Sequence, residues 1–195
     1  NLADDQNLDG HLLPGLRPGG VPRNLTGTST PFSYNDLSGF QDAVRGGDVA
    51  AIVMEVERSF APAPGFLEEI RRKASEIGAV LIFDECTSGF RKVLGGHHLT
   101  LGIEPDLAVF GKTLGNGYAV NAVIGREAVM ASIDSTFMSS TFWTERIGSA
   151  AGLATLDVME MEEAPQRIDK LGKTLRALWT TVGDEFGLEV SYSGL

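Results

Sequence analysis

At 195 residues with 43% hydrophobic content, the chain can bury one sizeable core, the content of one domain or slightly more. Its 26 acidic against 16 basic residues give a formal net charge of −10, which opposes binding to nucleic-acid phosphates or anionic membranes. No run of about 18 apolar residues is present to span a bilayer, the polar opening NLADDQNLDGH lacks a secretion signal's apolar core, and Cys86 has no partner for an internal disulfide, so a cytoplasmic location is expected.

Residues 1–30 are rich in Gly, Pro, Asn and Asp, with PGLRPGG and TGTSTP as turn-forming clusters, and read as an irregular connector. So much irregular backbone ahead of any regular element raises the expectation that structure is missing upstream. From Val49 the pattern becomes regular. AAIVMEVE reads as a strand, and PGFLEEIRRKASEIG as an amphipathic helix with Leu67, Ile70, Ala74 and Ile77 on one face. Pro64 and Gly78 stand where a helix starts and stops. AVLIFDE, DLAVFGK and AVNAVIGR are three further short apolar runs, the pattern of strands buried on both faces of a mostly parallel α/β sheet.

Between them, His97 and His98 are adjacent and would diverge on a strand or a helix, so they read as a loop pair rather than metal ligands. No Cys/His cluster has zinc-ligand spacing, and no metal is expected. The final third reads as helical. SAAGLATLDVMEMEEA stops at Pro165, and Ile168, Leu171, Leu175, Leu178, Val182 and Phe186 then form a stripe expected to pack in a core. LEVSYSGL alternates like the start of another strand. The expected division is a connector over 1–30, a partial large domain over 31–164, and a helix and first strand over 165–195 leading into a truncated C-terminal domain.

In an open, mostly parallel sheet, ligands bind outside the carboxyl ends of the strands, so the residues ending the apolar runs matter most. Those residues are ionisable: Glu55, then Asp84 and Glu85, then Lys112. The pattern allows two readings, an active site, or an Asp84 that caps a turn beside a solvated Lys112. A nucleotide-binding P-loop is excluded, because Asp106 stands five residues before Gly111 where glycine is required. A lysine forming a Schiff base needs a neutral amine, a small neighbour and a flexible turn. Gly111 and Leu114-Gly115-Asn116-Gly117 supply the last two, and burial near apolar strands would favour the neutral amine. A carboxylate at the cofactor's ring nitrogen is then required, and Asp84 is the candidate.

LIFDECTSGFR, EPDLAVFGKTLGNGYAVNAVIGR and STFWTERIGSAAGLATL, in that order and spacing, resemble class III pyridoxal-phosphate-dependent aminotransferases, most of all the glutamate-1-semialdehyde 2,1-aminomutases. The resemblance extends upstream through AAIVMEVERSFAPAPGFLEEIR and PFSYNDL to about Pro31. It implies the large domain of a fold type I pyridoxal-phosphate transferase, incomplete at both ends, acting on a small amino, keto or aldehyde substrate. Lys112 would carry pyridoxal 5'-phosphate as a Schiff base and act catalytically, Asp84 would meet the ring nitrogen, and Thr87 would lie beside the ring. Thr141 would reach the cofactor phosphate of the neighbouring subunit, which implies a homodimer.

Three places depart from the family pattern. Cys86 replaces an aliphatic residue, Val56 stands where proline often follows, and Thr144, Glu145 and Arg146 replace a Gly-Asn-Pro turn, altering shape or charge near the substrate entrance. The family's upstream phosphate-binding loop, ring-stacking aromatic and small domain have no counterpart, so the chain is expected to be an internal fragment. Amino transfer between molecules and transfer within one molecule both stay open. So do a non-catalytic fragment and a same-fold decarboxylase or racemase using the same Lys112 and Asp84.

Overall fold

A computed structural model describes residue 24 and residues 27–57, 59–142 and 144–193. Of the connector expected over 1–30, only residues 24 and 27–30 fall within this set. The chain divides into two compact units at the Val49–Ala50 junction. In the described part of the first, α1 (Leu37–Ala43) starts at Asp36, whose carboxylate accepts the Gly39 amide at 2.9 Å. Buried Phe40 meets Phe32 edge-on, with ring centroids 5.2 Å apart. Seven residues are too few to show helical periodicity, and the sequence reading contains no counterpart to this helix.

The second unit is a four-stranded sheet in the order β1 (Ala51–Glu55), β2 (Val80–Asp84), β3 (Leu107–Phe110), β4 (Ala122–Gly125). The first three strands are parallel. β4 runs antiparallel, because the connection Gly111–Asn121 is shorter than the dozen or so residues that a parallel crossover needs.

Between β1 and β2, α2 (Phe66–Ile77) begins after Gly65 and ends at Gly78, both in left-handed backbone at φ 83° and 73°. Its buried face carries Phe66, Leu67, Ile70 and Ala74, while Arg72, Lys73, Glu69 and Glu76 pair along the wet face. Buried Asp106 joins three parts of the unit. It accepts the Leu81 amide at 2.8 Å, Arg71 Nη1 of α2 at 2.9 Å and Arg126 Nη1 at 2.7 Å. Burial alone would raise this carboxyl, but those three donors outweigh it and hold it below the usual carboxylate range.

The strands are not buried on both faces among the described residues. Ile52, Met54, Leu81, Phe83, Ala108 and Phe110 share the buried face, whereas Val53 on the opposite face is 61% exposed. On β4, Val123 and Ile124 are both exposed. On β2 and β3 the opposite face is half-buried at Ile82, Leu107 and Val109, so the described elements cover that face only in part.

Two four-residue helices, α3 (His98–Leu101) before β3 and α4 (Glu127–Met130) after β4, precede the helical third, which differs from expectation at its joints. α5 (Ile147–Met161) stops before Pro165, and the proline sits in the first turn of α6 (Ala164–Phe186), where its missing N–H costs nothing. The stripe from Ile168 to Phe186 is exposed rather than packed, with Leu171 60% and Phe186 68% accessible. Residues 188–193 form no strand, and the Tyr192 hydroxyl instead bonds back to Arg176 and Thr180 of α6.

Candidate active site

Parallel β1, β2 and β3 deliver Glu55, Asp84 and Lys112 to one edge of the sheet. Glu55 and Asp84 are register partners, and Asp84 pairs with Val109, three residues before Lys112. After extended Gly111 the chain turns sharply. Lys112 opens a 3-10 turn (Lys112–Leu114) with φ 46°, a left-handed conformation uncommon for a side chain with a Cβ.

The Lys112 ammonium donates to the Thr87 hydroxyl at 2.9 Å. The side chain is exposed, so the burial expected to favour a neutral amine is not found here. Asp84 serves the turn as well as the edge, since its Oδ1 accepts the Cys86 amide at 2.9 Å. This is the capping role that strand-end aspartates commonly fill, and it fixes the carboxylate at the head of the turn that carries Thr87. Burial, followed by the hydrogen bond and negative charge of Asp84, pushes the Cys86 thiol up.

Gly111 does not leave open space. A Cβ there would lie 2.5 Å from Asn121 Oδ1 and 3.3 Å from Cys86 Sγ, so the glycine lets the strand ends close on each other. Asn121 is therefore a neighbour that the motif reading missed.

Thr141 is exposed in the loop leading to α5. In the altered TFWTERIG segment, Glu145 has a local task. Its carboxylate accepts the Ile147 amide and, at 3.1 Å, the Gly148 amide, satisfying the first turn of α5.

A buried polar network behind the edge was also missed. Glu85 is fully buried and His97 and His98 nearly so, which replaces the reading of the histidines as a plain loop pair. His98 Nδ1 lies 2.8 Å from Glu85 Oε1, and His97 Nε2 lies 2.9 Å from Glu57 Oε2, with Lys92 at 3.2 Å from the same carboxylate. No group of three metal-ligating side chains exists among the described residues. The available signal was a Glu directly after a strand-end Asp, with a Gly-Gly-His-His segment downstream.

An amine on a tight turn, a hydroxyl beside it and a carboxylate on the adjoining strand, all at the carboxyl edge of a mostly parallel sheet, are the equipment of an α/β pyridoxal-phosphate enzyme. The family model for aminotransferase class-III matches residues 31–185, and the chain belongs to that family, whose cofactor is pyridoxal phosphate. It is 35% identical over 188 residues to a 3-aminobutyryl-CoA aminotransferase of Cloacimonas acidaminovorans, covering 90% of this chain and 45% of that protein. It is 34% identical over 183 residues to a glutamate-1-semialdehyde 2,1-aminomutase of Methanothrix thermoacetophila, covering 90% and 42%.

Among solved structures, an omega-transaminase from Sphaerobacter thermophilus superposes with TM-score 0.79 at 29% identity, covering 93% of this chain and 44% of that one. A transaminase with PLP bound superposes with TM-score 0.83 at 26% identity, covering 96% and 46%. The chain thus spans under half the length of the relatives it matches.

Proposed function

We propose that the chain is the lysine-bearing part of an enzyme that transfers an amino group on a small amino, keto or aldehyde substrate, with Lys112 Nζ as the attachment point for pyridoxal phosphate. The observation that carries this is the Lys112–Thr87 hydrogen bond at 2.9 Å on the edge that also holds Asp84. The donor set fits the group: an exposed primary amine, a hydroxyl that holds it, and a carboxylate already fixed by the Cys86 amide.

When bound, the cofactor's protonated ring supplies an electron sink for charge left on the substrate's α-carbon. Asp84 would offer its negative charge to the ring nitrogen and so favour the protonated ring. The Lys112 amine would hold the cofactor and serve as the base that moves the substrate's proton. Thr87 would hold Nζ in place by the hydrogen bond seen here. Thr141, exposed ahead of α5, reaches the phosphate across a homodimer interface in this reading.

The two curated relatives support an intermolecular and an intramolecular transfer alike. The single cysteine suits a reducing cytoplasm. No helix among the described residues is long and apolar enough to cross a membrane.

The test is an absorbance spectrum of the full-length protein with pyridoxal phosphate, before and after borohydride, beside Lys112→Ala. A parent-only band that borohydride fixes as a covalent adduct on the Lys112 peptide is expected. A band that persists in Lys112→Ala overturns the assignment. Product analysis with amino donors then separates transfer from isomerisation, decarboxylation and racemisation.

A further inference from the structure

Asp84 ends β2 and Thr87 lies on the short turn that follows, and Glu85 is bonded on both sides of that junction. Its amide donates to Val109 O of β3 at 2.8 Å, and its carbonyl accepts the Gly89 amide at 2.8 Å. The side chain points inward and is fully buried. A buried carboxylate is costly unless its oxygens are bonded. Here they accept the Ser88 hydroxyl, the His97 amide at 3.0 Å, the His98 amide at 2.9 Å and the His98 ring at 2.8 Å.

The packing around this carboxylate points the same way. A Cβ on Gly96 would come within 2.4 Å of His98 Nδ1 and 3.0 Å of Glu85 Oε1, so the Glu85–His98 pair needs a glycine at that place. Glu85 directly follows Asp84, and Ser88, whose hydroxyl its carboxylate accepts, directly follows Thr87. The segment 97–98 that supplies the remaining donors is itself held from the other side by Glu57, through His97 Nε2 at 2.9 Å.

We propose that Glu85 is a positioning residue for the reaction: its buried carboxylate clamps the β2 turn to the segment around His97 and His98 and so sets Asp84 and Thr87 against Lys112. This rests on the assignment of Lys112, Asp84 and Thr87 given above. Asp106 provides the comparison. It is similarly buried and accepts the Leu81 amide, Arg71 and Arg126, but it directly precedes β3, at the strand end away from Lys112, so its loss weakens the fold without loosening the clamp.

The test uses the full-length holoenzyme and compares Glu85→Gln with Asp106→Asn. Glu85→Gln places an amide nitrogen among donors, so it keeps the shape and breaks the clamp. It is expected to retain the borohydride-fixed adduct, to move the pH midpoint of the cofactor absorbance by at least about half a unit, and to lower kcat about tenfold with KM little changed. Asp106→Asn is expected to lower the melting temperature while keeping the parent's pH midpoint and kcat.

If Glu85→Gln loses melting temperature alone, with the parent's midpoint and kcat, the positioning role is overturned and the cofactor assignment stands. If the parent itself shows no Lys112-dependent band, the cofactor assignment fails and takes this inference with it. Should Glu85→Gln not fold, Gly96→Ala decides, because it forces the His98 ring off Glu85 without changing any charge. The same midpoint shift supports the clamp, and a parent-like midpoint and kcat overturn it.

Discussion

The Nζ of Lys112 and the Oγ1 of Thr87 are 2.9 Å apart, a hydrogen bond that joins the turn after β3 to the turn after β2. Thr87→Val removes the acceptor with little change in volume, and Thr87→Ser keeps it. The valine variant should load pyridoxal phosphate about threefold less tightly and the serine variant within error of the parent, by equilibrium titration of cofactor absorbance. Equal affinity in all three would show that Thr87 does not orient the amine.

Cys86 reports on Asp84. Because burial and the adjacent carboxylate both push the thiol up, cofactor-free protein should alkylate at Cys86 more slowly at neutral pH than an unstructured cysteine, and faster as the solution becomes alkaline. Asp84→Asn removes the negative charge and should speed labelling at pH 7 several-fold, read by peptide mass spectrometry. No acceleration would mean that the carboxylate is not the neighbour controlling the thiol.

Acid should destabilise the fold through three buried carboxylates. At Glu85 and Glu57 burial alone would raise the carboxyl, but hydrogen bonds from His98 and Ser88 in one case and from His97 and Lys92 in the other hold it below the ordinary range, as the donors at Asp106 do there. A depressed native value means that the unfolded chain takes up the proton first as pH falls. The stabilisation is therefore complete above about pH 5 and is lost progressively below about pH 4. Urea midpoints measured from pH 7 to pH 3 should show that decline, and Asp106→Asn should flatten part of it while costing about 3 kcal/mol at pH 7.

Glu145 should matter to α5 and not to the chemistry. Glu145→Ala leaves the Ile147 and Gly148 amides without their carboxylate and should cost about 1 kcal/mol, with a small fall in melting temperature. A change in substrate preference without loss of stability would return Glu145 to the substrate entrance, as its departure from the family pattern first suggests.

The parts of this fold legible in the sequence were those written in local patterns. The period of Leu67, Ile70 and Ala74, bracketed by Pro64 and Gly78, is a local record of α2, and each short apolar run became a strand. Ionisable residues at the ends of those runs marked the edge of the sheet. The misses were relational. The antiparallel direction of β4 depends on the length of its connection, and the exposure of Leu171 and Phe186 depends on what lies against α6, which periodicity within the helix does not record. The Glu85–His98 and Glu57–His97 pairs join residues 13 and 40 positions apart, and neither member of a pair advertises the other. Asp84 and Lys112 stood out as strand-end residues, but spacing alone left a capped turn and a solvated lysine open beside an active site; their roles, and Thr87 itself, entered through whole-motif resemblance.

The left-handed backbone at Lys112 sets function against stability at a single position. A lysine held at φ 46° costs about 1 kcal/mol relative to a residue at ease there, and glycine is such a residue while alanine is not. Lys112→Gly should therefore melt higher than Lys112→Ala although both lose the amine. Selection for thermostability alone would favour glycine at this position, so under the proposed function the amine is carried at a cost in stability.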